Sequence, residues 1–154
     1  NYGGGAKTIS RAAGVTQEEA SNFVSQMAKS FPKVVAWRNR MAAMVERDGY
    51  IENKWGRRMP VVREQSYTQS SALMGQSGTR EIMKDALIKM LNYDPRLIGW
   101  VKVPVHDELI FSIPESELAW AVPKIEELMY YEWDGVEFYA SHGTPANDWE
   151  KAGH

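Results

Sequence analysis

Three ionisable side chains stand side by side at His106, Asp107 and Glu108, between two segments that are otherwise mostly apolar. Apolar residues alternate along 101–105 before this triplet and along 109–113 after it, which is the period of a strand with one buried face. The two segments are predicted to pair antiparallel, with the triplet at or beside the turn. Two carboxylates at the tip of a rigid strand pair could hold a divalent cation that prefers oxygen ligands.

The same triplet has two simpler interpretations. An acidic turn is often only solvated, and a histidine beside an acid often only caps the turn, so perturbed acidic positions are frequently structural. What favours a site is the predicted setting, because Asp107 and Glu108 would project in opposite directions from a stiff, apolar pair of strands. That arrangement would position a metal ligand.

A second short hairpin is predicted around Trp55 and Gly56, and its tip is basic. Lys54, Arg57, Arg58 and Arg63 give the hairpin region a local positive field, which would attract the phosphate backbone of a nucleic acid. The alternative is that Arg57 and Arg58 pair with nearby carboxylates and stabilise the fold.

Charge divides unevenly along the 154 residues, although the net charge is only −2. Residues 1–106 contain 16 Lys and Arg against 9 Asp and Glu, whereas residues 107–154 contain 2 against 11. The basic part would favour nucleic acid and the acidic part divalent cations, but charges spread over solvated faces would give the same counts.

The remaining pattern predicts an α+β fold. Thr16 and Glu19 form a capping box that begins a helix ending near Ser30, and Phe31-Pro32 begins a second helix that Asp48-Gly49 ends. Three further elements are predicted: a long helix over 65–91, a helix over 115–131 and a last strand over 136–140.

Composition limits the classes of protein. The apolar content of 44%, with six Trp and seven Tyr, suits the packed core of one domain. The absence of cysteine excludes disulfides, thiolate metal sites and a cysteine nucleophile. Apolar runs are too short for a membrane span and no signal peptide is visible, which predicts a soluble, cytoplasmic protein, bacterial or in an infected host cell, without a membrane partner.

Four ordered motifs resemble family A DNA polymerases, the bacterial DNA polymerase I type, possibly from a phage. His106-Asp107-Glu108 resembles the family's third polymerase motif, and the DGYIEN of 48–53, followed by Gly56-Arg57-Arg58 and a proline, resembles its GYVET…GRR…P hairpin. Tyr2-Gly3 resembles the YG that ends the long fingers helix. The closing residues 147–154 resemble the family's NW…AH.

The resemblance implies roles residue by residue. Asp107 would bind the catalytic metals, Glu108 would lie beside them, and His106 would lie near the primer 3′ end. Tyr2 would lie by the nascent base pair, where Gly3 allows close approach.

The resemblance also implies that Gln76 contacts the minor groove of the duplex. The family's Q-G-T-A is Gln76-Ser77-Gly78-Thr79 in this sequence, which puts the register in question by one residue. Two family positions that contact template or primer are occupied by Thr68 and Ala72, which puts those contacts in doubt.

The resemblance further implies an end of the fingers over 1–47 and a palm portion over 48–154, which carries the basic hairpin, long helix, HDE hairpin and C-terminal helix and strand. The expected function is DNA-templated nucleotidyl transfer from dNTP to a primer 3′-OH with two Mg²⁺ ions, and primer-template DNA and dNTP are the expected partners. The family's other metal-binding aspartate, and its phosphate-binding Arg and Lys, precede the YG. The chain is therefore expected to need an upstream polymerase segment, fused or in trans, and to be inactive alone.

Two other functions stay open from the residues. One is a noncatalytic duplex-DNA-binding subunit or remnant that uses the basic hairpin. The other is a metal-dependent phosphohydrolase using Asp107 and Glu108, for which a further carboxylate cluster is missing.

Overall fold

The computed structural model of the chain describes residues 5–148 and 151. Helices and three small two-stranded antiparallel hairpins alternate along these residues, which confirms the predicted α+β class. The helices are α1 (Ala6–Ala13), α2 (Gln17–Ser30), α3 (Pro32–Asp48), α4 (Ser66–Tyr93), α5 (Pro95–Trp100) and α6 (Leu118–Met129), with single 3₁₀ turns at Arg63–Gln65 and Glu115–Glu117. The strands are β1 (Tyr50–Glu52), β2 (Arg58–Pro60), β3 (Val101–Val105), β4 (Glu108–Phe111), β5 (Tyr131–Trp133) and β6 (Val136–Phe138).

Local rules explain where the first helices begin and end. Thr16 and Glu19 form the predicted capping box, in which the Glu19 amide donates to the Thr16 hydroxyl and the Thr16 amide donates to the Glu19 carboxylate. Pro32 occupies the first turn of α3, where its missing N–H costs nothing. Gly49 then ends α3 at φ 77°, a left-handed conformation that glycine adopts without strain.

The chain forms two compact units, which divide between Gly78 and Thr79 within α4. In the first unit, Val45, Ile51 and Val61 are buried, and Leu73 and Met74 of α4 pack against them. This small core holds the β1–β2 hairpin against the end of α3.

The second unit has its own core, which is formed by Ala86 and Met90 of α4, Leu97 of α5, and Ala121 and Ile125 of α6. Leu109 and Phe111 of β4 pack against this core as partly buried residues. The base of the β3–β4 hairpin is therefore anchored, while its tip extends away from the apolar contacts.

Candidate functional site

His106 and Asp107 are the two loop residues of the β3–β4 hairpin, and Glu108 is the first residue of β4. Val105 and Glu108 are the last paired residues before the turn. His106 has φ 51°, which is the sign that tight two-residue hairpin turns require at their first loop position. All three side chains are exposed, so the triplet lies at the tip, as the sequence predicts.

The strands behind this tip are tied to the core of the second unit. Pro104 pairs with Leu109 and Val101 with Phe111, and an irregularity between Val101 and Val103 interrupts the ladder. Beyond β4, the amide of Ser112 donates to the carbonyl of Trp100 at 2.8 Å. The turn is consequently the tip of a short hairpin whose strands are held by hydrogen bonds, and it is not part of a long loop.

The donor set at this tip suits a hard, hydrated cation in type but not in number. Asp107 and Glu108 offer exposed carboxylate oxygens, which are the ligands that Mg²⁺ prefers while it keeps several waters. Across residues 5–148 and 151, no group of three or more His, Asp or Glu side chains could hold a metal ion. The hairpin therefore fits as one contributor to a metal site.

The basic hairpin of the first unit is built around Asn53, which is 5% exposed. Its side-chain Oδ1 accepts from the backbone amides of Trp55 and Arg57, both at 3.0 Å. Gly56 completes the turn at φ 79°. Asn53 thus fixes the loop that carries the basic side chains.

Two basic side chains of this hairpin, Arg58 and Lys54, have defined surroundings. The Arg58 guanidinium bonds to the Glu52 carboxylate across the two strands at 2.7 Å and lies 5.2 Å from the centre of the Tyr50 ring. The hydrogen bond that Arg58 donates to the Glu52 carboxylate is the main cause that raises the pKa of Arg58. The Lys54 ammonium lies 4.7 Å from the Trp55 ring centre. Arg58 therefore has a structural partner while remaining largely exposed.

A shallow groove follows one face of α4 in the first unit. It is lined by Thr68, Gln69, Ala72, Leu73 and Gln76, and the spacing of four residues from 68 to 72 to 76 places these positions on successive turns. Gln76 is exposed. Thr68, Ala72 and Gln76, the positions at which the family resemblance implies or puts in doubt contacts with DNA, thus share one face of α4.

Two predicted site residues, Tyr2 and Gly3, lie outside the described residues, as does most of the closing motif.

The sequence pattern did not predict α5. Asp94 caps this helix by accepting from the Arg96 amide, and Pro95 occupies its first turn. The Asp-Pro pair is the signal that could have found it.

Length alone could have suggested a membrane segment in α4, which has 28 residues. Within the described part of the chain, however, α4 and the other helices lack the apolar length needed to cross a bilayer.

Comparison with known proteins defines the class of this fold. The POL domain of Pol1 from M. smegmatis, solved in complex with DNA primer-template and dNTP, matches with a TM-score of 0.72 and 24% identity, over 83% of this chain and 24% of that chain. The fold is therefore that of part of a polymerase domain.

Sequence comparison defines the family. The family model for DNA polymerase family A matches residues 1–149. A DNA polymerase of Mycobacterium phage D29 is 33% identical over 135 residues, and a thermostable DNA polymerase I of Thermus filiformis is 31% identical over 137 residues. The chain belongs to the family A DNA polymerases.

The match covers only part of these relatives. It spans 88% of this chain but 22% of the phage D29 protein, and 83% of this chain but 16% of the Thermus protein. The chain thus corresponds to about a fifth of the relatives that it matches.

Proposed function

We propose that this chain supplies the metal-binding hairpin of a DNA-directed DNA polymerase, which transfers nucleotides from dNTP to a primer 3′-OH under the direction of a template. One observation carries the proposal: in a chain of this family, Asp107 lies exposed at the two-residue tip of an anchored hairpin. Primer extension by the complete polymerase, meaning the polypeptide or complex in which this chain works, tests it.

In this proposal Asp107 is a ligand of Mg²⁺, with Glu108 beside it and His106 near the primer terminus. Two bound Mg²⁺ ions would acidify the attacking hydroxyl and neutralise the leaving pyrophosphate. The chain itself provides the position of the ligand: the hairpin holds the Asp107 carboxylate at a fixed distance from the core, and its exposed tip leaves room for substrate.

We further propose that the second metal-binding carboxylate comes from polypeptide outside these 154 residues. Two observations support this: the described residues contain no cluster of three potential ligands, and the chain spans about a fifth of its relatives. Residues 1–47 would then be the end of the fingers, and residues 48–154 part of the palm. Tyr2 would lie by the nascent base pair, where Gly3 allows close approach.

The basic hairpin of Lys54, Arg57 and Arg58 also fits a second candidate, a noncatalytic subunit that only binds duplex DNA. Both candidates assign primer-template DNA to the basic hairpin and to the Gln76 face of α4. They differ in whether the reconstituted protein extends a primer.

Arg57→Ala in the complete polymerase is expected to weaken binding to duplexes of every sequence. Loss of one phosphate contact should also reduce the slope of log affinity against log salt by about 0.9. Fluorescence anisotropy at several salt concentrations measures both, and thermal melting measures stability in parallel.

Arg58 and its partner provide the matched comparison for that experiment. Glu52→Gln breaks the cross-strand pair but keeps every positive charge of the hairpin, so it should lower the melting temperature without weakening DNA binding. If Arg57→Ala lowered the melting temperature while affinity stayed at the parent value, the DNA role of the hairpin would be refuted.

Gln76→Ala is expected to slow extension from matched and mismatched primer ends to different degrees. A neutral amide can bond to minor-groove acceptors that all base pairs share, and this would report the shape of the pair and not its sequence. Rates for both ends are measured in one quenched-flow series, with Gln69→Ala as the control from the same groove. Equal rates of mutant and parent on both ends would make Gln76 only an exposed helix residue.

A further inference from the structure

A cluster of charged and aromatic side chains joins α5 to the start of α6. It consists of Asp94, Arg96, Trp100, Glu117 and Trp120, and we call it the Arg96 clamp. None of these residues is part of the HDE triplet or of the other three motifs that carry the family resemblance. Their position in the chain is notable because α5 directly precedes β3.

Ionic contacts form the first part of the clamp. Two nitrogens of the Arg96 guanidinium bond to the Asp94 carboxylate, Nη2 at 2.7 Å and Nε at 3.0 Å. A third nitrogen, Nη1, reaches Glu117 Oε2 at 3.4 Å. A planar guanidinium can hold two carboxylates in fixed directions, which an ammonium cannot do. Arg96 therefore connects the cap of α5 with the turn that precedes α6.

Aromatic contacts form the second part. The guanidinium carbon of Arg96 lies 5.1 Å from the ring centre of Trp120 and 5.9 Å from that of Trp100. The two indoles are themselves 5.9 Å apart at an interplanar angle of 56°. The Trp120 Nε1–H donates to the same Glu117 oxygen that Arg96 contacts. The Arg96 guanidinium thus forms cation–π contacts with both indole rings, and the Glu117 carboxylate accepts hydrogen bonds from Arg96 and from Trp120.

The clamp is connected to the hairpin without an intervening loop. Val101 is the C-cap of α5 and also the first residue of β3. The carbonyl of Trp100 accepts from the Ser112 amide, just beyond β4. Both strands are therefore attached to the last residue of α5, so the direction of this helix contributes to the direction of the hairpin, together with the packing of Leu109 and Phe111 on the core.

The length of β3 determines how far a rotation of α5 moves the hairpin tip. The five residues of β3 span about 16 Å at ~3.3 Å per residue. A rotation of α5 by about 4° would move the tip by ~1 Å, and a displacement of that size can cost a catalyst about 100-fold in rate.

We propose that the Arg96 clamp positions the Asp107 carboxylate by fixing α5 against α6, and that Arg96, Trp100 and Trp120 are positioning residues of the metal site. The inference rests on the proposed function, because it assumes that Asp107 binds the metal. The inference goes beyond the proposed function because it assigns a role to residues that are remote from the hairpin tip.

Arg96→Lys in the complete polymerase tests this, since it keeps the charge but removes the planar fork and most of the ring contact. Two quantities are measured: the dissociation constant of Mn²⁺ by electron paramagnetic resonance without turnover, and the single-turnover rate of nucleotide addition. We expect the Mn²⁺ dissociation constant to rise several-fold and the rate to fall about 10- to 100-fold. The dissociation constant of primer-template should stay unchanged, because none of the proposed DNA-binding residues Lys54, Arg57, Arg58 and Gln76 belongs to the clamp.

Arg47→Lys is the matched control, because Arg47 makes a similar two-nitrogen pair with Asp48, at 2.9 and 2.7 Å, outside the second unit. Trp120→Phe is the second variant if Arg96→Lys folds poorly, since it keeps a ring but removes the N–H that Glu117 accepts. Mn²⁺ affinity and rate equal to those of the parent, with or without a lowered melting temperature, would overturn the positioning role. A parent enzyme that never extends primers would refute the proposed function instead, and the Mn²⁺ affinities of the variants would still decide the role of the clamp.

Discussion

Asp107→Asn is expected to abolish primer extension by the complete polymerase, with a fall of about 10³-fold or more in the single-turnover rate. The amide keeps the shape of the side chain but removes the negative charge that balances the metals, an interaction worth several kcal/mol in the transition state. The fold and the affinity for DNA should remain nearly intact, because the side chain is exposed at a hairpin tip. Rapid-quench extension and anisotropy measure the two properties separately.

Asp134→Asn provides the matched control, since Asp134 is also an exposed aspartate in a hairpin turn of the second unit, between β5 and β6, with φ 53°. It should extend primers at the parent rate. The extension rate of Glu108→Gln should lie between the rates of Asp107→Asn and Asp134→Asn, because Glu108 is proposed to lie beside the metal site and not at its centre. Full activity in Asp107→Asn would contradict the assignment of the metal ligand.

The isolated 154-residue chain is expected to bind Mg²⁺ weakly and to show no primer extension. One hairpin carboxylate cannot hold two hydrated cations at the separation that phosphoryl transfer requires, about 3.5–4 Å. Adding the preceding coding segment of the same genome, fused or as a separate polypeptide, should restore synthesis. Gel-based extension with the chain, the segment and both together measures this.

The same experiment separates the candidate functions. Extension by the mixture should disappear when the chain carries Asp107→Asn. That result would show that this chain contributes to catalysis. Robust synthesis by the isolated chain would overturn the shared metal site. A reconstituted protein that binds duplex but never extends it would favour the noncatalytic subunit.

Elements governed by local rules could be predicted from the sequence. The Thr16–Glu19 capping box, the glycine that ends α3 and the turn at Gly56 depend on residues a few positions apart, so their signals are complete within a short window. α5 was missed because six residues are too few for a helical period, although Asp94-Pro95 marks its start.

Packing was harder to predict than the elements. The period of α2 groups Ala20 with Phe23, Val24 and Met27, yet Ala20 is buried while Phe23 is 51% exposed. A period identifies an apolar face but not what covers it. Similarly, Val103 is 39% exposed although it alternates with Val101 and Val105, and no local signal marks the irregularity between Val101 and Val103.

For the candidate site, residue type and turn position were predictable, because carboxylates between alternating strands indicate an exposed hairpin tip. The Glu52 partner of Arg58 and the Arg96 clamp were not, since their members come together only in the folded chain.

Cleavage by bound iron would test the central claim most directly. Fe²⁺ that replaces Mg²⁺ in the complete polymerase generates hydroxyl radicals with ascorbate and peroxide, and these cut the backbone next to the metal. We predict cuts within residues 105–109 that Mg²⁺ suppresses by competition and that Asp107→Asn removes. Mg²⁺-sensitive cuts found only elsewhere in the polymerase, and unaffected by Asp107→Asn, would contradict a metal site at this hairpin.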